Sequence, residues 1–338
     1  MSSSNERWFG TLMIVASAAA YSLAGYFTRL IDLDIWTILF WRGLFGGLLV
    51  GLFVVFSEAR RALAALRGMG VPGLWVMGLS TFATVCFISA LRLAPVADVI
   101  TIQAAAPLLT AFFGLIIGGE REGWTTWAAS VAALAGVAIV LHPQGALTHT
   151  AGHILAVAMT LSYAAMMVII RRNRHVSMQP AACLSALLCA LVSWPLAKPA
   201  AVTSADIMLL ALFGTVQFGL GLLLLTLGTR LISATRAALI GILENPLAPL
   251  WVWLAFGERP SPSAWLGGSI VTAAVLMDAV AAMRRGRRTE MNAAPCSPAP
   301  PIAIPSREPC QPPRRRWRLS EVRRVLPTAE DLSAPGRQ

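Results

Sequence analysis

The chain has 338 residues, of which 57% are hydrophobic and 13% charged, with mean hydropathy +0.68. Soluble domains carry roughly 25% charged residues, so this composition excludes an ordinary soluble fold and calls for a bilayer. The net charge of +11 is uneven: residues 284–338 hold 12 Arg against five acids, so the basic balance belongs to the tail and gives no reason to expect a nucleic-acid partner.

A membrane-spanning helix needs about 20 apolar residues. Ten stretches of the chain qualify: 8–30, 35–56, 71–91, 95–117, 124–141, 152–170, 180–197, 206–228, 234–256 and 263–283. The first is too long for a signal-peptide core of about 7–15 residues and reads as an uncleaved span. With the N-terminus inside, the inner loops hold ten Arg and the outer ends hold Arg29, Arg92, Lys198 and Arg259. That bias predicts cytoplasmic N- and C-termini. The tail, 284–338, has ten prolines and the run Arg314-Arg315-Arg316, and reads as disordered. Cys86, Cys183 and Cys189 fall in apolar runs and Cys296 and Cys310 in the tail, with neither zinc-ligand nor disulfide-framework spacing.

The chain then repeats itself. Shifted by 138 residues, Arg92-Leu93 falls on Arg230-Leu231, Gly119-Glu120-Arg121 on Gly257-Glu258-Arg259, and Trp127 on Trp265, while Pro107 comes within one residue of Pro246. This divides the chain into halves of five spans, 8–141 and 152–283. Because five is odd, the second half enters the membrane from the opposite side. Inverted repeats are a signature of secondary transporters, with the substrate site at the repeat interface near the midplane.

These features resemble the EamA-type branch of the drug/metabolite transporter superfamily. The resemblance rests on two five-helix repeats over residues 8–283, on Pro107 with Gly119-Glu120-Arg121, and on Glu244-Asn245-Pro246 with Gly257-Glu258-Arg259. The superfamily motif near Glu244 is commonly Glu-Pro, and here Asn245 intervenes; the first half has Ala105-Ala106-Pro107 and no acid. The resemblance implies a ten-helix carrier, often an exporter of amino acids or related metabolites.

Glu244 is the leading candidate for coupling or substrate binding. It stands about ten residues into its span, where a charge costs roughly 2.5–3.5 kcal/mol and needs a partner or a wet cavity. Pro107, Pro246 and Pro249 each remove a backbone donor, and they predict kinks at matching places in the two halves. Arg42 is expected either to pair with Glu244, to bind a substrate carboxylate, or to snorkel outward. Gln103, Asn245 and Trp251 complete the candidate lining, with Tyr21, Tyr26, Thr84, Tyr163 and Gln217 as weaker polar candidates. Asp98 and Arg236, at equivalent positions, read as helix-start and surface charges. Gly43, Gly47 and Gly51 form a small-residue stripe, either for internal packing or for a homodimer face. His149 and His153 have the spacing of two ligands on one helical face, but no third ligand is close in sequence, so no metal and no cofactor is expected.

The sequence contains no zincin helix, nucleophile elbow, paired-Asp phosphate motif, Walker loop or filter-like segment. An enzyme and a channel are therefore weaker readings than a carrier driven by proton or solute counter-transport. The expected substrate is a small polar or zwitterionic metabolite moved outward across a bacterial inner membrane. Uptake of a vitamin or nucleoside-like solute is the alternative carrier reading, and a non-transport membrane protein is the more remote one.

Overall fold

The computed structural model describes residues 3–118, 124–141, 149–173, 178–199, 202–232 and 234–292. The described residues are helical almost throughout. A bilayer satisfies no backbone polar group, so helices are the form these apolar runs must take. In chain order they are α1 (Ser3–Ser22), α2 (Ala24–Leu30), α3 (Ile35–Gly68), α4 (Gly70–Leu93), α5 (Val96–Ala104), α6 (Ala106–Gly118), α7 (Trp124–Leu141), α8 (Thr150–Arg172), α9 (Gln179–Ser193), α10 (Ser204–Leu212), α11 (Gly221–Leu231), α12 (Ala234–Gly241), α13 (Glu244–Phe256) and α14 (Pro262–Asn292). A π-helical segment, Phe213–Leu220, joins α10 to α11.

Among the described residues, six helical stretches are long and apolar enough to cross a membrane: Trp8–Leu30, Ile35–Phe56, Gly70–Leu93, Val96–Ile116, Thr150–Arg172 and Ser204–Thr229. The other expected spans differ for identifiable reasons. Thr126–Leu141 and Pro180–Leu196 are apolar but shorter. The ninth is interrupted, because α12 ends at Gly241 and α13 starts at Glu244. The tenth, α14, does not stop at 283 but stays helical to Asn292. This carries helix into what the sequence reads as a disordered tail; residues 293–338 lie outside the described ones.

The halves interlock by pairs. α4 packs on α8, α1 on α11, α3 on α9 and on the π-helical segment, and α7 on α14. Small residues make the closest approaches. A Cβ on Gly43 would lie 2.6 Å from the Ala186 carbonyl, one on Gly47 would meet Leu187, and one on Gly51 would meet Cys183 Sγ. All three neighbours belong to α9, so the stripe is an internal packing face and not a homodimer face. Gly46 approaches the π-helical segment in the same way, its Cβ position lying 2.8 Å from the Gly214 carbonyl.

Three long helices are broken. At α5/α6 the missing N–H of Pro107 interrupts the ladder, and Ala105 N donates instead to Ile102 O at 3.2 Å. At α12/α13 Pro246 does the same, and the Ile242 carbonyl accepts from Asn245 N at 3.1 Å. The two breaks, at Ala105 and Leu243, stand 138 residues apart. The break between α1 and α2 has no proline: Ser22 Oγ donates back to Ala19 O at 2.7 Å, and Leu23 N to Ala20 O at 3.2 Å. Side-chain back-bonding of this kind competes with the helix ladder.

Candidate functional site

Glu244 opens α13 immediately after the break, deep among the packed helices. Its carboxylate has no hydrogen bond and no ion pair with any described residue. Tyr21 of α1 and Tyr163 of α8 lie within electrostatic range of it. Tyr163 is 40% exposed. A charge so placed costs several kcal/mol unless solvated or paired.

Arg42 does not snorkel and does not reach Glu244. It is 6% exposed. Its Nε and Nη2 donate to Gln217 Oε1 at 3.2 and 3.0 Å, and Gln217 Nε2 donates to the Tyr21 carbonyl at 3.4 Å. The guanidinium carbon lies 5.1 Å from the centre of the Phe213 ring and 5.0 Å from that of Phe218, a distance at which ring quadrupoles attract a cation. The π-helical segment supplies all three partners, Phe213, Gln217 and Phe218. Tyr21 is within electrostatic range of both Arg42 and Glu244.

α13 has two working faces. Ala248 is buried on one, and Trp251 Nε1 donates to Ser22 Oγ at 2.9 Å, tying this face to the α1/α2 break. Asn245, Pro246 and Pro249 lie on the other face, with Thr101, Trp253 and Trp265, around a cavity of about 610 Å³ between α5, α13 and α14. That cavity is mostly apolar, and its wall includes Trp265 at 61% exposure, so it opens to the surface. Thus Asn245, Pro246 and Pro249 are brought together with one another, but away from Arg42. Pro107 is exposed at the start of α6, and the Gln103 side-chain oxygen is buried with no hydrogen-bond partner among the described residues.

Polar links join the halves at the end of the bundle where α2 and α4 finish, and two of them reach a carboxylate. Arg29 Nε donates to Glu258 Oε2 at 2.8 Å and its Nη2 to Oε1 at 3.3 Å, while Val96 N donates to the same Oε1 at 2.9 Å. Arg29 also donates to the Leu91 and Ala94 carbonyls, at 2.7 and 3.0 Å. The second link is His153 Nε2 to Asp98 Oδ2 at 3.0 Å, with Asp98 6% exposed and its Oδ1 unpartnered. His149 Nδ1 donates to the Leu93 carbonyl at 3.2 Å. The two histidines are therefore committed elsewhere, and no cluster of three metal-binding side chains occurs among the described residues.

Gly257 ends α13 at φ +69°, its N–H donating to Trp253 O at 2.9 Å, the left-handed conformation that favours glycine. The first copy of the motif, Gly119-Glu120-Arg121, lies outside the described residues. Three of these roles are not apparent in the sequence. Asp98 reads there as a helix-start charge, Gln217 as a weaker polar candidate, and Glu258 only as part of a repeated motif. The position of Glu258 in a repeated motif was the available signal for one of them.

The chain matches one transporter family over residues 8–142 and again over 150–278. It belongs to the EamA-like transporter family. An S-adenosylmethionine uptake transporter of Rickettsia prowazekii (strain Madrid E) is 27% identical over 282 residues, covering 80% of this chain and 90% of the relative. A solved crystal structure of a protein, 20% identical, aligns with TM-score 0.56 over 84% of this chain and 99% of its own, and supports the fold. This EamA-like chain is accordingly a multi-pass membrane transporter of a small-molecule substrate.

Proposed function

We propose that this transporter is a secondary carrier of a small polar metabolite bearing a positive group, working by alternating access between two inverted five-helix halves. The observation that carries the reading is Glu244: a carboxylate with no partner among the described residues, at a helix break deep in the bundle, in electrostatic range of two tyrosines. Such a group alternates between holding a proton and holding a cationic substrate or water, which couples transport to a proton gradient.

The inverted halves are supported by the double family match and by the helix breaks 138 residues apart. Packing supports them too: exchanging the halves turns the α4–α8 pair into α1–α11 and leaves α3–α9 and α7–α14 as they are. In this reading ten helices cross a bacterial inner membrane with both termini cytoplasmic. The Arg29–Glu258 and Asp98–His153 links then lie at the outer end and hold it closed.

S-adenosylmethionine, the solute of the Rickettsia relative, is the first candidate substrate, and uptake replaces export as the favoured direction. It has a sulfonium and an ammonium for Glu244, and a large planar base for the aromatic lining. The test is counterflow: purified protein in vesicles preloaded with unlabelled S-adenosylmethionine, with labelled solute outside. Transient accumulation above equilibrium supports the assignment. Equal labelling of vesicles with and without protein would remove this substrate.

A further inference from the structure

Among the described residues, nothing neutralises the charge of Arg42. It is a cation, 6% exposed, in a span of a membrane protein. No described residue places a carboxylate within ion-pair distance of it. An intramembrane cation is expected to be paired or to face a wet cavity, because leaving it bare costs several kcal/mol.

What surrounds it is neutral and built to position it. Gln217 occupies one edge of the guanidinium through Nε and Nη2. Phe213 and Phe218 bracket its carbon at 5.1 and 5.0 Å. Gln217 is itself 2% exposed and held by the Tyr21 carbonyl. π-Helical insertions persist mostly where a function repays their poorer geometry. This one delivers Phe213, Gln217 and Phe218 to one point, against α3 where Gly46 lets the backbones approach. The amide and the rings fix the plane of the guanidinium without cancelling its charge. They leave Nη1, which has no hydrogen bond to any described residue, and half of Nη2 for another acceptor.

We infer that Arg42, oriented by Gln217 and the two phenylalanines, is the anion subsite of the transport path and selects substrates by a carboxylate group. This deepens the carrier reading and rests on it. A guanidinium fork binds a planar carboxylate through two parallel N–H donors, a recognition that a primary amine or a neutral solute cannot use. With Glu244 also in range of Tyr21, the path has a group for an anion and a group for a cation. It is therefore matched to zwitterions of the α-amino-acid type and rejects their decarboxylated amines.

The experiment reads Arg42 directly and not through flux. Detergent-solubilised protein is treated with phenylglyoxal, which adds to guanidinium groups open to water, and modification of Arg42 is measured by mass spectrometry. Reaction is followed alone, with a pool of the twenty protein amino acids plus S-adenosylmethionine, and with the matching pool of decarboxylated amines. The expected result is modification slowed at least fivefold by the acids and unchanged by the amines, with Arg29 unaffected by either. Gln217→Leu, which keeps the volume but frees the guanidinium plane, should weaken protection by the acids about tenfold. Equal protection by both pools, or none by either, overturns the subsite. So does an Arg42 that never reacts, since a sealed residue is a structural charge. Protection without counterflow would leave the subsite standing and sink the carrier reading instead.

Discussion

Replacing Glu258 by Gln tests whether the bonds at the end of the bundle near Arg29 hold that end shut. The carboxylate accepts three hydrogen bonds, from Arg29 Nε at 2.8 Å, Arg29 Nη2 at 3.3 Å and Val96 N at 2.9 Å. Gln keeps the shape and one oxygen acceptor, so the Val96 bond survives and the charge pairing is lost. Fully exposed pairs contribute about 0.2–1 kcal/mol, and charge-assisted bonds about 1.5–3 kcal/mol. The side chains here are 22% and 27% exposed, which puts the loss between those limits, at about 1–2 kcal/mol. At about 1.4 kcal/mol per factor of ten, the closed state loses roughly 5–30-fold in population against the open one. The assay is maleimide labelling of Val96→Cys, a position 1% exposed in this structure, in protein with Cys296 and Cys310 replaced by Ser. Labelling should accelerate by that factor in the Glu258→Gln background. An unchanged or slower rate, in protein with normal unfolding behaviour, would refute a latching role.

Other outcomes follow from the same geometry. Removing the ring with His153→Ala leaves Asp98 buried without its partner, a situation that costs about 3–5 kcal/mol; unfolding temperature should fall clearly, and adding Asp98→Asn should recover part of the loss in a double-mutant cycle. Gly46→Val pushes a side chain against the Gly214 carbonyl and the Phe218 ring. Overpacking of this kind costs about 1–3 kcal/mol, and thermal unfolding should report it, together with lost protection of Arg42. Trp251→Phe removes the 2.9 Å bond to Ser22 and should lower stability by about 0.5–1.5 kcal/mol, detectable as a reduced midpoint in a denaturant titration.

The sequence carried the helical class because every long apolar run had to become a helix, and it carried two of the three helix breaks because proline cannot donate. The third break was hidden: Ser22 makes it by back-bonding to Ala19, and serine does this in many unbroken helices. Span count was harder to read, since hydropathy does not register that Pro246 splits one run into α12 and α13. Glu244 was visible because a carboxylate is conspicuous among alanines and leucines. The pairing of Arg42 was not, because its partner Gln217 lies 175 residues away on a π-helical segment, and local patterns do not signal an extra residue per turn. Asp98 and His153 escaped for a similar reason: Asp98 reads as a helix-start charge and His153 as one of two histidines on a helical face, and only the packing of α5 on α8 joins them.

The most direct measurement is exchange from proteoliposomes loaded with a pooled metabolite mixture, wild type beside Glu244→Gln, with and without a pH gradient. The account predicts that wild type releases a restricted set of solutes at a rate that responds to the gradient. Glu244→Gln should insert and fold normally but lose that response and most of the rate. Equal, gradient-sensitive release by both proteins would contradict the role assigned to Glu244. Release of nothing by folded wild-type protein would contradict the carrier itself for every solute in the pool.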